Sequence, residues 1–433
     1  MVTDAASPTR QPRALYVLFM TELWERFSFY GMQALLMLYM TKHLGFEQAH
    51  ASSLNGWYGG LVYLTPLGGG LLADRLLGYK RTIILGGTLM MIGHFLMAID
   101  RLPVFYTALA CLIIGVGGIK ANISTVVGKL YQPGDARRDR GFTIFYMGIN
   151  IGGLLAPLVC GYLGESVSWH LGFAAAGVGM AIGLASFLYG QRLLAGVDLG
   201  PASRGEKESG RKAIAREDWG RIAVLLIIWV FVMLFWAGYF QTWVTLTLWA
   251  DANTYRPMLP SWLGGKVMPA SWTTSFNSAY IIVLTPLVNA LWLALARRGL
   301  EPSSPFKMVL GLVGLALSFA IMVMAARLTG GHGASLAWLG GCYFLMTVGE
   351  LTLSPVGLSL VTKLAPPGIG GALMGIWFLT NAVGYKLGGW VGEYWERVSH
   401  GTFFAGWVVV SLAAALVFLL LLPTLKRLAH GAE

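Results

Sequence analysis

The 433 residues carry 12% charged, 56% hydrophobic and 12% aromatic side chains, a balance too apolar for water-soluble domains of ordinary size. The net charge of +11 is scattered through short segments between apolar runs rather than gathered on one polar domain, which excludes a nucleic-acid-binding reading. A bilayer accepts apolar surface on a scale that water does not, so the chain is read as a membrane protein.

A polar stretch up to Arg13 leads into an apolar run of full membrane length. No small-residue cleavage site follows, so the run is read as span 1 and not as a removed leader. Spans are predicted at 14–40, 50–73, 80–99, 103–127, 141–163 and 170–194, and again at 219–247, 271–297, 305–328, 335–363, 369–395 and 401–427. Those longer than about 20 residues are expected to tilt or to project from the bilayer. Between the two sets lies the one long polar segment, carrying Asp198, Arg204, Glu206, Lys207, Glu208, Arg211, Lys212, Arg216, Glu217 and Asp218. The fold class is therefore an all-α membrane protein of twelve transmembrane helices, with six-helix bundles over 1–194 and 219–433 and a linker over 195–218. Most of the 31 Lys and Arg fall on the loops that share a side with both termini, which places the termini in the cytoplasm. Cys111, Cys160 and Cys342 sit inside apolar runs without paired spacing or a nearby His; they read as packing residues, with no disulfide, metal site or other cofactor indicated.

The loop between spans 2 and 3 reads Gly70-Leu-Leu-Ala-Asp74-Arg75-Leu-Leu-Gly78-Tyr-Lys80-Arg81. It resembles the loop motif of the major facilitator superfamily, in which glycines make tight turns and the acid and bases pair across helix ends. That resemblance implies two parallel repeats, a substrate cavity near the bilayer midplane where the halves meet, and alternating access.

An ionisable residue at the bilayer centre costs about 2.5–3.5 kcal/mol on insertion scales, so each one needs a partner or a task. The candidates are Glu22, Glu25, Arg26, Lys120, Glu350 and Lys386. Lys386 is predicted near the end of span 11, where its stem can reach the interface, and has no assigned substrate role. Glu22, Glu25 and Arg26 share one helix sector, continued by Phe29, Tyr30 and Gln33. Two acids against one base leave a negative charge that needs a further cation or a proton, and Lys120 is the other deep cation. It follows Gly115-Val-Gly117-Gly118-Ile, small residues that permit close helix approach. Glu350, in the opposite half, is either a gate partner of Lys120 or the other pole of a site for a zwitterion.

Glu22-Leu-Trp-Glu25-Arg26-Phe27-Ser-Phe29-Tyr30-Gly31 resembles the first-helix signature of the proton-dependent oligopeptide transporters. Phe145-Tyr146-Met147-Gly148-Ile149-Asn150-Ile-Gly152 is similar to their span 5 signature, and Gly349-Glu350-Leu-Thr-Leu-Ser354-Pro355 with Lys363-Leu-Ala-Pro366 to their span 10 motif. Phe235-Trp236, Phe276-Asn277 and Trp377-Phe378 also fit, in family order from span 1 to span 11. The resemblance implies that Glu350, Asn150 and Asn277 bind the peptide's amino terminus while Arg26 and Lys120 face its carboxylate. Tyr30, Tyr63, Trp236 and Trp377 would line side-chain pockets, and Gln33 would belong to the same binding surface. Glu22 and Glu25, with Arg26 and Lys120, would couple the proton. Some family members carry Arg at the place of Gln33 and an acid at that of Phe240, a pair that closes the outer gate; here both charges are missing together, which implies closure through amide and apolar contacts. Phe29 stands where a tyrosine is common, and Gly56 where some animal relatives have a histidine, so coupling must rest on carboxylates.

The expected function is proton-coupled import of di- and tripeptides across the plasma membrane, by a monomer embedded in lipid. The rival solutes are a peptide-like drug, nitrate or another small anion; Glu350 with two amides favours an amine terminus over nitrate. An intramembrane enzyme is disfavoured, because no metal motif, nucleophile elbow or nucleotide loop accompanies the acids.

Overall fold

The computed structural model describes residues 10–132, 134–201, 218–330, 333–366 and 369–429. The charged part of the linker, from Arg204 to Glu217, and Pro367 at the start of span 11 lie outside the described residues. Among the described residues thirteen α-helices follow in order: α1 Arg13–Leu38, α2 Gln48–Leu72, α3 Gly78–Leu96, α4 Leu102–Lys129, α5 Arg138–Gly161, α6 Trp169–Tyr189, α7 Asp218–Tyr239, α8 Thr245–Ala252, α9 Ser275–Arg297, α10 Ser304–Leu328, α11 Leu336–Leu364, α12 Gly370–Gly392 and α13 His400–Leu428. Since α7 and α8 are two parts of one span, these are the twelve membrane helices expected, with ends shifted by a few residues. Eight spans among the described residues are apolar enough to cross a bilayer on composition alone; α1, α2, α3 and α12 are not among them.

The described residues form two compact units. The first comprises those of Met1–Met32, Thr65–Ala156 and Phe173–Ala202, the second those of Gln33–Leu64, Pro157–Gly172 and Ser203–Glu433. The boundaries fall within α1, α2, α5 and α6.

In the first unit, α4 packs on α2 and α3 through bare backbone. A Cβ on Gly69 would stand 1.8 Å from the Gly117 carbonyl oxygen, and one on Gly118 would stand 2.9 Å from the Gly86 Cα. The glycines before Lys120 are therefore the contact surface itself, and any side chain there would push the helices apart. Gly152 of α5 plays the same part against α1, where an added Cβ would meet the Leu23 carbonyl oxygen at 2.4 Å and the Arg26 Cβ at 3.0 Å.

In the second unit, α10 and α11 meet at Gly311, Gly314 and Gly349, the last with a virtual Cβ 2.7 Å from the Gly311 carbonyl oxygen. This contact fixes the backbone one residue before Glu350. The α7–α8 span is interrupted by a tight turn at Phe240–Trp243, followed by Val244 at φ −123° and ψ −89°. A break inside hydrocarbon frees carbonyls that must find partners within the protein. They do: Asn55 Nδ2 donates to the Trp243 oxygen at 3.1 Å, and the Thr247 hydroxyl donates to the Thr242 oxygen at 2.8 Å. The turn is a defined feature held by side chains from α2 and α8.

Candidate functional site

The first unit gathers the acids and bases of α1. Glu22, Glu25 and Arg26 are 4%, 0% and 3% exposed, so their charges have only one another and their protein neighbours to answer to. Helical spacing brings Arg26 Nε to 3.3 Å from Glu22 Oε1. The same Nε also donates to Glu25 Oε2, and Arg26 Nη2 donates to Glu25 Oε1 at 2.6 Å. The guanidinium thus grips Glu25 with a two-pronged fork and touches Glu22 with one edge. The Arg26 guanidinium carbon also lies 5.2 Å from the centre of the Phe29 ring. Glu22 Oε2 is buried with no hydrogen-bond partner among the described residues. Lys120, on α4, interacts electrostatically with Arg26, Glu25 and Glu22. The four residues expected to handle the proton form one cluster. Tyr30 lies one turn beyond Arg26, and Asn150 is buried on α5, its Nδ2 donating to the Tyr146 carbonyl at 3.0 Å.

The second unit holds the acid of α11. Asn277 of α9 donates from Nδ2 to Glu350 Oε2 at 2.8 Å and to Thr347 Oγ1 at 3.0 Å. Its Oδ1 accepts from the Tyr239 hydroxyl at 3.0 Å. Glu350 and Asn277, paired in the sequence reading, are thus joined directly. Tyr239 and Thr347 were not singled out there; Thr347 could have been, since it lies three residues before Glu350 on the same helix face.

Four aromatic residues cluster nearby in chain contact. The Tyr63 and Tyr385 ring centres are 4.9 Å apart, Phe240 lies 4.7 Å from Tyr385, and Trp236 lies 6.2 Å from Tyr385. Trp236 Nε1 and Asn381 Oδ1 are buried without a hydrogen-bond partner among the described residues. Trp377 sets the far edge of its ring against Gly357, where an added Cβ would meet it at 2.2 Å. Gln33 donates to Asn55 Oδ1 at 2.8 Å, and Asn55 donates on to the α7–α8 break. Phe240 packs its ring over Gly59, whose virtual Cβ is 2.8 Å away. At the uncharged positions 33 and 240 the second unit therefore carries an amide relay and an aromatic contact. Lys386 is turned to α2, its Nζ 4.6 Å from the centre of the Trp57 ring.

The POT family model (PTR2) matches this chain at residues 80–206 and 203–405. The chain is 35% identical to the "Uncharacterized transporter YclF" of Bacillus subtilis (strain 168), over 97% of its own length and 95% of that protein's. It is 31% identical to a "Di-/tripeptide transporter" of Lactococcus lactis subsp. cremoris, over 96% of each. A crystal structure of the peptide transporter POT in complex with sulfate shares the fold with a TM-score of 0.88 at 32% identity, over 98% of both chains. Matched along nearly its whole length in sequence and in fold, this chain belongs to the POT family of transporters and has its twelve-helix major facilitator architecture.

Proposed function

We propose that this chain is a symporter that carries di- and tripeptides into the cell with protons, by alternating access of two bundles, 1–194 and 219–433, joined by the 195–218 linker. Both termini are cytoplasmic and the membrane is the plasma membrane. The observation that carries the reading is the uneven satisfaction of the α1 acids: Glu25 is saturated by the Arg26 fork, whereas Glu22 keeps one buried oxygen without a partner. A buried carboxylate oxygen in that position is stable when it bears a proton. Glu22 is accordingly the proton carrier and Glu25 the fixed partner of Arg26.

In the cycle, protonation of Glu22 loosens its hold on Arg26 and Lys120, which then receive the peptide carboxylate. Glu350, oriented by Asn277, takes the peptide ammonium by a charge-assisted bond. After the site opens inward the proton leaves, Glu22 re-pairs with the cations, and the carboxylate is displaced. Linkage couples the two solutes, because each changes the other's affinity through the same cations. Recognition of both backbone ends leaves the side chains to Tyr30, Tyr63, Trp236 and Trp377, and Gln33 borders them. The name of the Lactococcus lactis relative supports this substrate class.

The test is uptake of labelled dialanine into proteoliposomes. An inward proton gradient is expected to drive accumulation above equilibrium, and a protonophore to abolish it. Equal uptake with and without the gradient would overturn proton coupling; no uptake of any dipeptide would overturn the substrate class.

A further inference from the structure

The hydrogen bonds around Asn277 fix which way its amide faces. Thr347 Oγ1 donates its only proton to the Tyr343 carbonyl at 2.7 Å. It can meet Asn277 only as an acceptor, so the Asn277 atom at 3.0 Å is the amide nitrogen. That nitrogen's second hydrogen goes to Glu350 Oε2 at 2.8 Å. The amide oxygen is thereby turned toward α7, where the Tyr239 hydroxyl donates to it at 3.0 Å. Tyr239, Asn277 and Thr347 are 7%, 9% and 0% exposed, too little for bulk water to take over any of these bonds.

We infer that Tyr239 is a positioning residue for recognition of the substrate's free amine, acting through Asn277 on Glu350; this rests on the peptide reading above. Both Asn277 N–H bonds are committed, so Asn277 serves chiefly to hold Glu350 and has only one oxygen lone pair left for any other partner. Preference for a free amine then depends on the Glu350 carboxylate being held in one orientation. Tyr239 sets that orientation at two removes: without its hydroxyl the amide oxygen is left unbonded, the amide can turn, and Glu350 loses its dedicated donor. Phenylalanine at 239 would keep the ring packing against Trp236, whose centre is 5.2 Å away, and remove the hydroxyl alone.

The test compares a dipeptide and its N-acetyl derivative as competitors of labelled-dialanine uptake, in proteoliposomes of the wild type, Tyr239→Phe, Asn277→Ala and the double variant. Tyr239→Phe is expected to narrow the free-amine preference about five-fold, the size of one ordinary hydrogen bond. The change should appear as a higher KM for free-amine ligands at unchanged maximal rate. Asn277→Ala should narrow the preference at least as far, and adding Tyr239→Phe to it should change nothing more, because the hydroxyl acts only through that amide. Should Asn277→Ala not fold, Thr347→Val takes its place in the cycle, since it removes the other restraint on the same amide. An unchanged preference in Tyr239→Phe, or additive effects in the double variant, overturns the inference and leaves the peptide reading standing. A wild type indifferent to the acetyl group overturns both.

Discussion

Glu22 and Glu25 stand three residues apart on α1 in different surroundings, and the function proposed above gives them different tasks. Replacing Glu22 by Gln fixes it in a neutral, proton-like state while keeping its contact with Arg26. Gradient-driven uptake is expected to be lost and counterflow exchange retained, because exchange needs peptide binding without net proton movement. Glu25→Gln leaves the buried Arg26 guanidinium short of its main partner, and breaking a buried ion pair costs about 3–5 kcal/mol. Loss of both uptake and exchange, with a lower melting temperature in detergent, is the expected result; the same phenotype for both variants would refute the division of roles. Lys120→Ala should erase most of the preference for a dipeptide over its C-terminal amide, measured in competition assays, since the amide keeps the shape and lacks the charge. The α1 cluster was legible in the sequence because helical periodicity alone places 22, 25 and 26 in one sector. The split between the acids was not, because it depends on how the guanidinium fork is turned.

Gly152 lets α5 lie directly against α1 beside Arg26, so Gly152→Ala must push a methyl group into the Leu23 carbonyl and move the charged cluster. Strong loss of transport is expected. Gly68→Ala, where an added Cβ meets nothing within 4 Å, serves as the control and should transport normally. The α7–α8 break depends on Asn55, which serves Gln33 and the Trp243 carbonyl at once. Asn55→Leu leaves both polar groups buried and unbonded, at about 1–3 kcal/mol each, and is expected to lower the melting temperature well beyond a surface substitution. Span lengths and order were readable from apolar runs, since a bilayer imposes the same length on every helix. The break was not, because 219–247 reads as one mainly apolar run without proline, and Asn55, which meets the freed Trp243 carbonyl, comes from α2, far away in sequence. For the same reason the sequence shows Tyr239 only as one aromatic among many.

At the scale of a whole unit, ends of several helices are tied by charge. Lys42, just after α1, pairs with Asp251 of α8 at 2.6 Å, and Arg256 joins Asp251 at 3.0 Å and Glu165 at 3.8 Å. Glu165, past the end of α5, accepts from the backbone N–H groups of Ala270 and Ser271 at 2.8 and 2.9 Å. The sequence placed these charges in separate loops and could not show that they meet. Lys42, with its side chain 47% exposed, is expected to contribute within about 0–1 kcal/mol. Glu165→Gln withdraws the charge from two backbone donors and from Arg256, so thermal unfolding should show a much larger loss for Glu165→Gln than for Lys42→Ala. Another property of the whole chain follows from which helices are apolar. Among the described residues the first helix long and apolar enough to cross a membrane by length and composition is α4, Leu102–Lys129. Synthesis therefore delivers α1, with its buried Glu22, Glu25 and Arg26, and then α2 and α3 to the insertion machinery before any helix of that apolarity. A nascent chain truncated after α3 should be extracted from membranes by alkaline carbonate, whereas one extended through α4 should be retained, making α4 the helix that commits the chain to the bilayer.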